Sequence, residues 1–244
     1  MNIKKGRTLE NIYHVVDSAI DTGAMARVWK VYHKTCGKEL AMKVPRSEIL
    51  KSKEGAKLFR KECELWESLG MHPHIVNCLY MREIENTPVV FSEWCSGGSL
   101  TDYISDGERK TSNDILCIAA QIIFGLKYLH SQNVIHKDIK PANIMLNNKG
   151  CAVLIDFGIS KHYDENGSQT SSGLVGISDG YAPMEQYNVG GVSTFSPQTD
   201  IYSLGVVLYE MCTGKLPFEG ETPVAVALKH LQEQPIEPIT MCHE

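Results

Sequence analysis

The chain has 244 residues, 43% of them apolar and 22% charged, and its 24 Lys and Arg against 29 Asp and Glu leave a net charge of −5. That balance argues against a nucleic-acid binder working by bulk positive charge, and the length suits one large domain or two lobes on one chain. The eight cysteines are scattered and none sits in a C-x-x-C pair, which excludes a zinc pattern and a disulfide framework and predicts free thiols in a reducing, cytoplasmic setting. Residues 1–10 are polar and show no signal-peptide core, and no apolar run approaches the roughly 18 residues that a membrane helix needs, so no span is expected.

Taken in chain order, residues 13–44 read as strands. Val15-Val16, the stretch 28–31 and the stretch 40–44 are apolar or β-branched and are broken by turn residues such as Thr35-Cys-Gly37. Residues 52–69 change to a helical period, with Leu58, Leu65 and Leu69 on one face beside Phe59 and Trp66. Residues 88–91 return to strand. Ser96-Gly-Gly-Ser99 breaks the chain, and this is the expected lobe boundary. Beyond it the pattern is mainly helical. Ile115, Ile118, Ala119, Ile122, Ile123, Leu126 and Leu129 predict a long, deeply buried helix, with Thr111 and Asp114 at capping spacing. Residues 200–211 predict a second buried helix stopped by Thr213-Gly214, and 222–234 a third. Pattern alone therefore predicts a two-lobed α+β protein.

The chemistry is concentrated in residues 134–146, Val-Ile-His-Lys-Asp-Ile-Lys-Pro-Ala-Asn-Ile-Met-Leu, and 153–158, Val-Leu-Ile-Asp-Phe-Gly. Phosphoryl transfer needs metal ions on a polyphosphate, a carboxylate facing the hydroxyl and positive charge on the migrating group. D-x-K-x-x-N followed by D-F-G supplies all three. On these motifs the chain resembles the eukaryotic-type protein kinase superfamily from about residue 13 to 238, and is most similar to bacterial serine/threonine kinases. The resemblance implies a protein kinase-like fold over residues 1–244. It comprises an N-lobe of antiparallel sheet plus one helix (about 1–92), a hinge (about 93–97) and a mainly helical C-lobe (about 98–244) expected to lack the last helices.

The same resemblance implies roles. Asp138 faces the substrate hydroxyl, and Lys140 neutralises the γ-phosphate. Asn143 and Asp156 bind Mg²⁺, with Mn²⁺ as a substitute. Lys43 holds the α- and β-phosphates of ATP and pairs with Glu62, chosen over Glu64 by its distance from His72-Pro73. Ile20, Val28 and Ala41 roof the adenine, Met145 floors it, and Glu93 and Cys95 offer hinge backbone groups. Ser92 falls at the gatekeeper position, where a small side chain implies room for N6-bulky ATP analogues. Asp200 anchors the catalytic loop, and His136 and Phe157 pack beneath the helix that carries Glu62. The loop H-P-H of His72 and His74 fits a turn better than a metal pair.

Departures from the family pattern are equally specific. The nucleotide loop reads Asp21-Thr-Gly-Ala-Met-Ala-Arg-Val28, in which only Gly23 of three glycines survives. Lys137 replaces arginine and keeps the charge without the planar fork, so phosphorylation of the activation segment is expected to stimulate only weakly. That segment, 156–185, carries autophosphorylation candidates Ser168, Thr170, Ser171 and Ser172. Ser178 falls at the position that favours Ser/Thr acceptors. Pro183-Met-Glu185 stands for A-P-E, and the arginine that pairs with this glutamate in relatives is missing.

The expected function is an ATP- and Mg²⁺-dependent serine/threonine protein kinase in signalling. Its partners would be protein substrates with Ser/Thr acceptors and ATP, with no nucleic acid and no membrane span in this chain, though a longer parent protein could be anchored. The alternatives are a catalytically weak pseudokinase or nucleotide-binding scaffold and a small-molecule kinase. The intact Lys43, Glu62, Asp138, Lys140, Asn143 and Asp156 oppose the first, and the peptide-docking segment opposes the second.

Overall fold

The computed structural model describes residues 1, 3–21, 26–108, 110–156, 180–187 and 195–241. The nucleotide-loop glycine Gly23, Phe157, and the candidates Ser168, Thr170, Ser171, Ser172 and Ser178 lie outside them. The chain divides into two compact units, residues Met1–Cys95 and Ser96–Glu244.

Unit 1 is built on antiparallel strands β1 (Thr8–Leu9), β2 (Tyr13–Val15), β3 (Ile20–Asp21), β4 (Ala26–His33), β5 (Lys38–Pro45), β6 (Cys78–Ile84) and β7 (Thr87–Glu93). Their order is β1-β2-β4-β5-β7-β6, with β3 also on β4. Two helices, α1 (Ser47–Lys51) and α2 (Lys53–Ser68), connect β5 to β6. Alternation along β4 and β5 sends Trp29, Val31, Leu40, Met42 and Val44 into one core with Val89 and Phe91. The other face carries the directly paired Ile20 and Val28, Val28 and Lys43, Lys43 and Val90, and Ala41 and Ser92.

Tyr13 holds the two ends of this sheet together. It is 1% exposed, it stacks on Phe91 of β7 at 4.4 Å, and its hydroxyl accepts from Arg82 of β6 at 3.1 Å. Strands from opposite ends of the hydrogen-bonding order thus meet through side chains. Arg7–Glu85 and Arg82–Glu10 pair the same two edges.

Unit 2 contains α3 (Leu100–Ser105), α4 (Ser112–Ser131), the hairpin β8 (Ile144–Leu146) and β9 (Ala152–Leu154), then α5 (Pro197–Thr213), α6 (Pro223–Gln232) and α7 (Pro238–Met241). Both α3 and α4 start with reciprocal caps, Ser99 with Asp102 and Thr111 with Asp114. These satisfy orphan N–H groups that would otherwise weaken each helix. Helix α5 ends on Gly214 at φ 70°, a left-handed position that favours glycine. Gly97 is needed for a different reason. A Cβ there would stand 2.8 Å from the Leu146 carbonyl oxygen, and the close approach lets residues 97–98 hydrogen-bond β8 at 2.9 and 2.8 Å.

The α+β expectation holds, with corrections. Helix α4 buries Ile118, Ala119, Ile122, Leu126 and Leu129, but Ile123 is 47% exposed with Leu116 and Phe124 beside it. Its buried stripe is narrower than its apolar composition. By length and mean hydropathy α4 is, among the described residues, one helix apolar enough to cross a membrane. The expectation that no segment reaches that threshold is therefore corrected. The helix packs instead on β9 and α5 within unit 2.

Strand β6 and helices α1 and α3 escaped the sequence reading. Irregular pairing between Cys78 and Tyr80 breaks the alternation of β6, α1 buries no residue, and α3 is only six residues long. Replacing Tyr13 by Ala is expected to destabilise unit 1 by about 3–5 kcal/mol, the range for large aromatic truncations in a core. A urea titration followed by the near-ultraviolet signal measures it, and a loss below about 1 kcal/mol would refute the bridging role.

Candidate active site

The groups singled out from the sequence assemble in two places, one in each unit. In unit 1, Lys43 of β5 donates from Nζ to Glu62 Oε1 of α2 at 2.9 Å. Both side chains are largely buried, with 13% and 9% exposure, so this pair is far less screened than a surface ion pair. Glu64 is exposed, as the choice of Glu62 requires. Trp66, one turn on, is 7% exposed. Its indole N–H donates to the Val76 carbonyl at 2.7 Å, and its ring lies 5.8 Å from the Lys43 ammonium. Helix α2 is thus tied to β5 by charge and to the loop before β6 by a hydrogen bond.

Val28, Ala41 and Ile20 share the sheet face of Lys43. Ile20 is 50% exposed and Val28 and Ala41 are half-buried, whereas Ser92 is buried. The Glu93 carboxylate accepts from both the backbone and side-chain N–H groups of Asn77, each at 3.0 Å. Cys95 is buried, and that burial pushes its thiol up to about 11, so it is unreactive at neutral pH.

In unit 2 the loop between α4 and β8 is organised around Asp200 of α5. Its carboxylate is 1% exposed. It accepts from the backbone N–H of His136 at 2.9 Å and of Lys137 at 2.8 Å, and from His130 Nε2–H at 2.7 Å. His136 is fully buried. Its Nε2–H donates to the Ile155 carbonyl at 3.0 Å, and its Nδ1 accepts from the Asp138 N–H at 3.3 Å. The two partners fix one neutral tautomer. Lys137 stands at φ 66°. Its carbonyl accepts from Gln186 Nε2 at 2.9 Å, and its ammonium lies 5.0 Å from the Phe195 ring.

This loop presents Asp138, Lys140 and Asn143 together. Asp138 Oδ2 accepts from Asn143 Nδ2 at 2.7 Å and pairs with Lys140 Nζ at 3.1 Å. Asn143 Nδ2 also donates to the Asp138 carbonyl at 2.8 Å. With its amide nitrogen so engaged, Asn143 has its oxygen as the end suited to a cation. Asp156 follows β9, half-buried, at φ 52°, and the neighbouring Ile155 N–H donates to the Asn143 carbonyl at 3.0 Å. Two hard oxygen donors on adjoining backbone suit a small divalent cation. Met145 of β8 is half-buried and bridges to Ser99.

Several positions in this arrangement were not foreseen. His130 joins the Asp200 network from the last turn of α4, where a histidine in sequence reads as an ordinary helix-end cation. Gln186 and Thr199 also carried no signal. Thr199 Oγ1 donates to Glu185 Oε1 at 2.8 Å. Glu185 therefore has a partner inside unit 2.

Comparison with known proteins places these groups in context. The protein kinase domain matches residues 14–241. A probable serine/threonine-protein kinase of Clostridium acetobutylicum is 31% identical over 96% of this chain and 35% of its own length. Serine/threonine-protein kinase PrkC of Bacillus subtilis is 32% identical over 94% of this chain and 34% of its own length. Among solved structures, Rad53 1-466 in complex with AMP-PNP aligns with a TM-score of 0.68 at 27% identity, covering 88% of this chain and 52% of the other. The chain spans about a third of the length of the curated relatives it matches.

Burial holds the His136 imidazole below its ordinary value of 6.5, against the opposing pull of Asp200 and Asp138. A histidine depressed in the folded state binds its proton more readily when unfolded. Its contribution is therefore intact above the unfolded value and is lost as pH falls below it. The thermal midpoint should decline as pH is lowered through about 6.5. An NMR titration should find His136 still neutral where a free histidine is half protonated, and a midpoint at or above the ordinary value would refute this.

Proposed function

Because the chain belongs to the protein kinase family, we propose that it transfers the γ-phosphoryl group of ATP to serine or threonine hydroxyls of proteins. The observation that carries the reading is the meeting of Asp138, Lys140 and Asn143 within hydrogen-bond reach, on a loop whose backbone is fixed by Asp200.

Each group has a defined task in such a transfer. The Asp138 carboxylate is held through Oδ2 by Asn143 and Lys140, which sets its plane toward an incoming hydroxyl. Hydroxyl attack on phosphorus needs that orientation more than it needs a strong base, since bond breaking to the leaving group runs ahead in a loose transition state. Lys140 keeps positive charge beside the same carboxylate, where the migrating group and the acceptor meet. Lys43, fixed by Glu62, supplies a preorganised cation for the α- and β-phosphates. Asn143 and Asp156 would hold Mg²⁺ or Mn²⁺, which when bound neutralises phosphate oxygens. Val28, Ala41 and Ile20 offer apolar surface to the adenine, and the family resemblance gives Met145 a part in holding it. The backbone of Glu93 and Cys95 offers it hydrogen bonds. Autophosphorylation at Ser168, Thr170, Ser171 or Ser172, a role in signalling and a cytoplasmic setting belong to the same proposal.

Autophosphorylation with labelled ATP and Mg²⁺ tests it. Wild type should acquire phosphoserine or phosphothreonine, and Asp138→Asn should lower the rate by about 10²–10⁴-fold, the usual worth of a positioned acid–base group. No incorporation into the chain or a generic protein substrate, with folding intact, would move the reading to a nucleotide-binding scaffold. Ser92 supports a second measurement. An N6-benzyl ATP analogue should compete with ATP in wild type and lose that ability in Ser92→Met, and equal competition in both would show that Ser92 does not control the adenine pocket.

A further inference from the structure

Helix α2 uses its two sides differently. Its buried side carries Phe59, Glu62, Cys63 and Trp66. Its exposed side carries Lys53, Glu54, Lys57, Arg60 and Lys61 up to the middle of the helix and Glu64 and Glu67 beyond it. Lys53, Lys57 and Lys61 recur every four residues, so their side chains stack along one face, with Arg60 beside them. Among the described residues none of these four cations forms an ion pair.

This arrangement works against the helix. Like charges at four-residue spacing repel. Cations near the first turn and acids in the last turn both oppose the macrodipole. Apart from Glu54, which accepts from Ser52 Oγ, no acid stands in the first half to offset them. A chain of net charge −5 therefore concentrates unpaired positive charge on about 12 Å of one helix, the rise of eight residues.

We propose that this stripe is a docking surface for a short acidic segment of a partner protein. Its length and its polarity select that class. About 12 Å matches four residues of extended chain at roughly 3.3 Å each, enough for a run of adjacent carboxylates or phosphorylated side chains. A continuous polyanion such as duplex DNA or an anionic membrane would meet Glu64 and Glu67 on the same face and then the net negative charge of the protein. A short acidic run followed by neutral or basic residues meets neither. Because the opposite side of α2 presents Glu62 to Lys43, a segment seated on the stripe steadies the first half of α2 and strengthens that pair. This last consequence, a lower KM for ATP, rests on the kinase reading, whereas the docking itself does not.

The probe is a fluorescently labelled peptide of four consecutive glutamates followed by two lysines, titrated by anisotropy against the full chain. Wild type should bind it at low salt, with affinity falling as salt rises. K57Q/K61Q should weaken binding by roughly tenfold or more, and K57R/K61R, which keeps the charge, should restore it. Circular dichroism checks that both variants keep their helix. Lack of binding to wild type at low salt, or equal binding by K57Q/K61Q, overturns the proposal. Tighter binding of phosphatidylserine vesicles or a short DNA duplex, lost in K57Q/K61Q, also overturns it by assigning the stripe to a lipid or nucleic-acid partner. The anisotropy readout does not depend on turnover, so an inactive protein that still binds the peptide would leave the docking surface standing and the kinase reading in doubt.

Discussion

Unit 2 depends on one buried carboxylate. Asp200 sits in the first turn of α5 with almost no contact with water, a placement that would be costly for a lone charge. Three donors make it tolerable, and two of them are the backbone N–H groups of His136 and Lys137. Those bonds do more than satisfy the charge. They hold Lys137 at a positive φ, turning the chain so that Asp138 emerges toward Asn143 and Lys140. The third donor, His130, ties Oδ2, the oxygen that His136 also uses, to the end of α4. Helix α4, helix α5 and the loop between α4 and β8 thus converge on one group. Removing a partner from such a buried charge typically costs about 3–5 kcal/mol, so the loop's shape and the unit's stability are coupled.

Unit 1 solves a different problem. Lys43 must be charged and correctly aimed while standing on a strand whose neighbours point into a dry core. The period-two alternation of β5 puts Met42 and Val44 on one side and Lys43 on the other. Glu62 then balances the charge from a helix that is itself steadied by Trp66. The sheet supplies the direction and α2 supplies the partner, which is why the pair depends on where that helix lies.

Much of this was legible beforehand because the relevant signals are local. Short apolar and β-branched stretches broken by turns disclosed β4 and β5, the Thr111 and Asp114 spacing disclosed the start of α4, and Thr213-Gly214 disclosed the end of α5. Asp138, Lys140, Asn143 and Asp156 stood out because their spacing on two loops is chemically specific. What stayed hidden is long-range. Tyr13 looks like any strand aromatic until β2 is seen against β6 and β7. His130 is separated from Asp200 by 70 residues, and Thr199 from Glu185 by 14. Neither pairing has a local periodicity to announce it. Ile123 failed in the opposite direction, since its apolar character fitted a buried stripe that turned out to be one residue narrower.

The left-handed backbone at Lys137 has a consequence for how this chain tolerates change. A glycine would relax there, since a side chain at positive φ costs on the order of 1 kcal/mol. Asp200 and Gln186 grip only its backbone N–H and carbonyl, contacts that any residue type retains. These two contacts therefore do not depend on which residue type stands here. One contact that does depend on lysine is the ammonium against the Phe195 ring, just before α5 begins. In a mutational survey scored for abundance, position 137 would show how much the side chain adds to what the backbone contacts already secure. Glycine would keep both backbone contacts, and its score would combine the relief of the positive φ, the added freedom of the chain and the loss of the side chain.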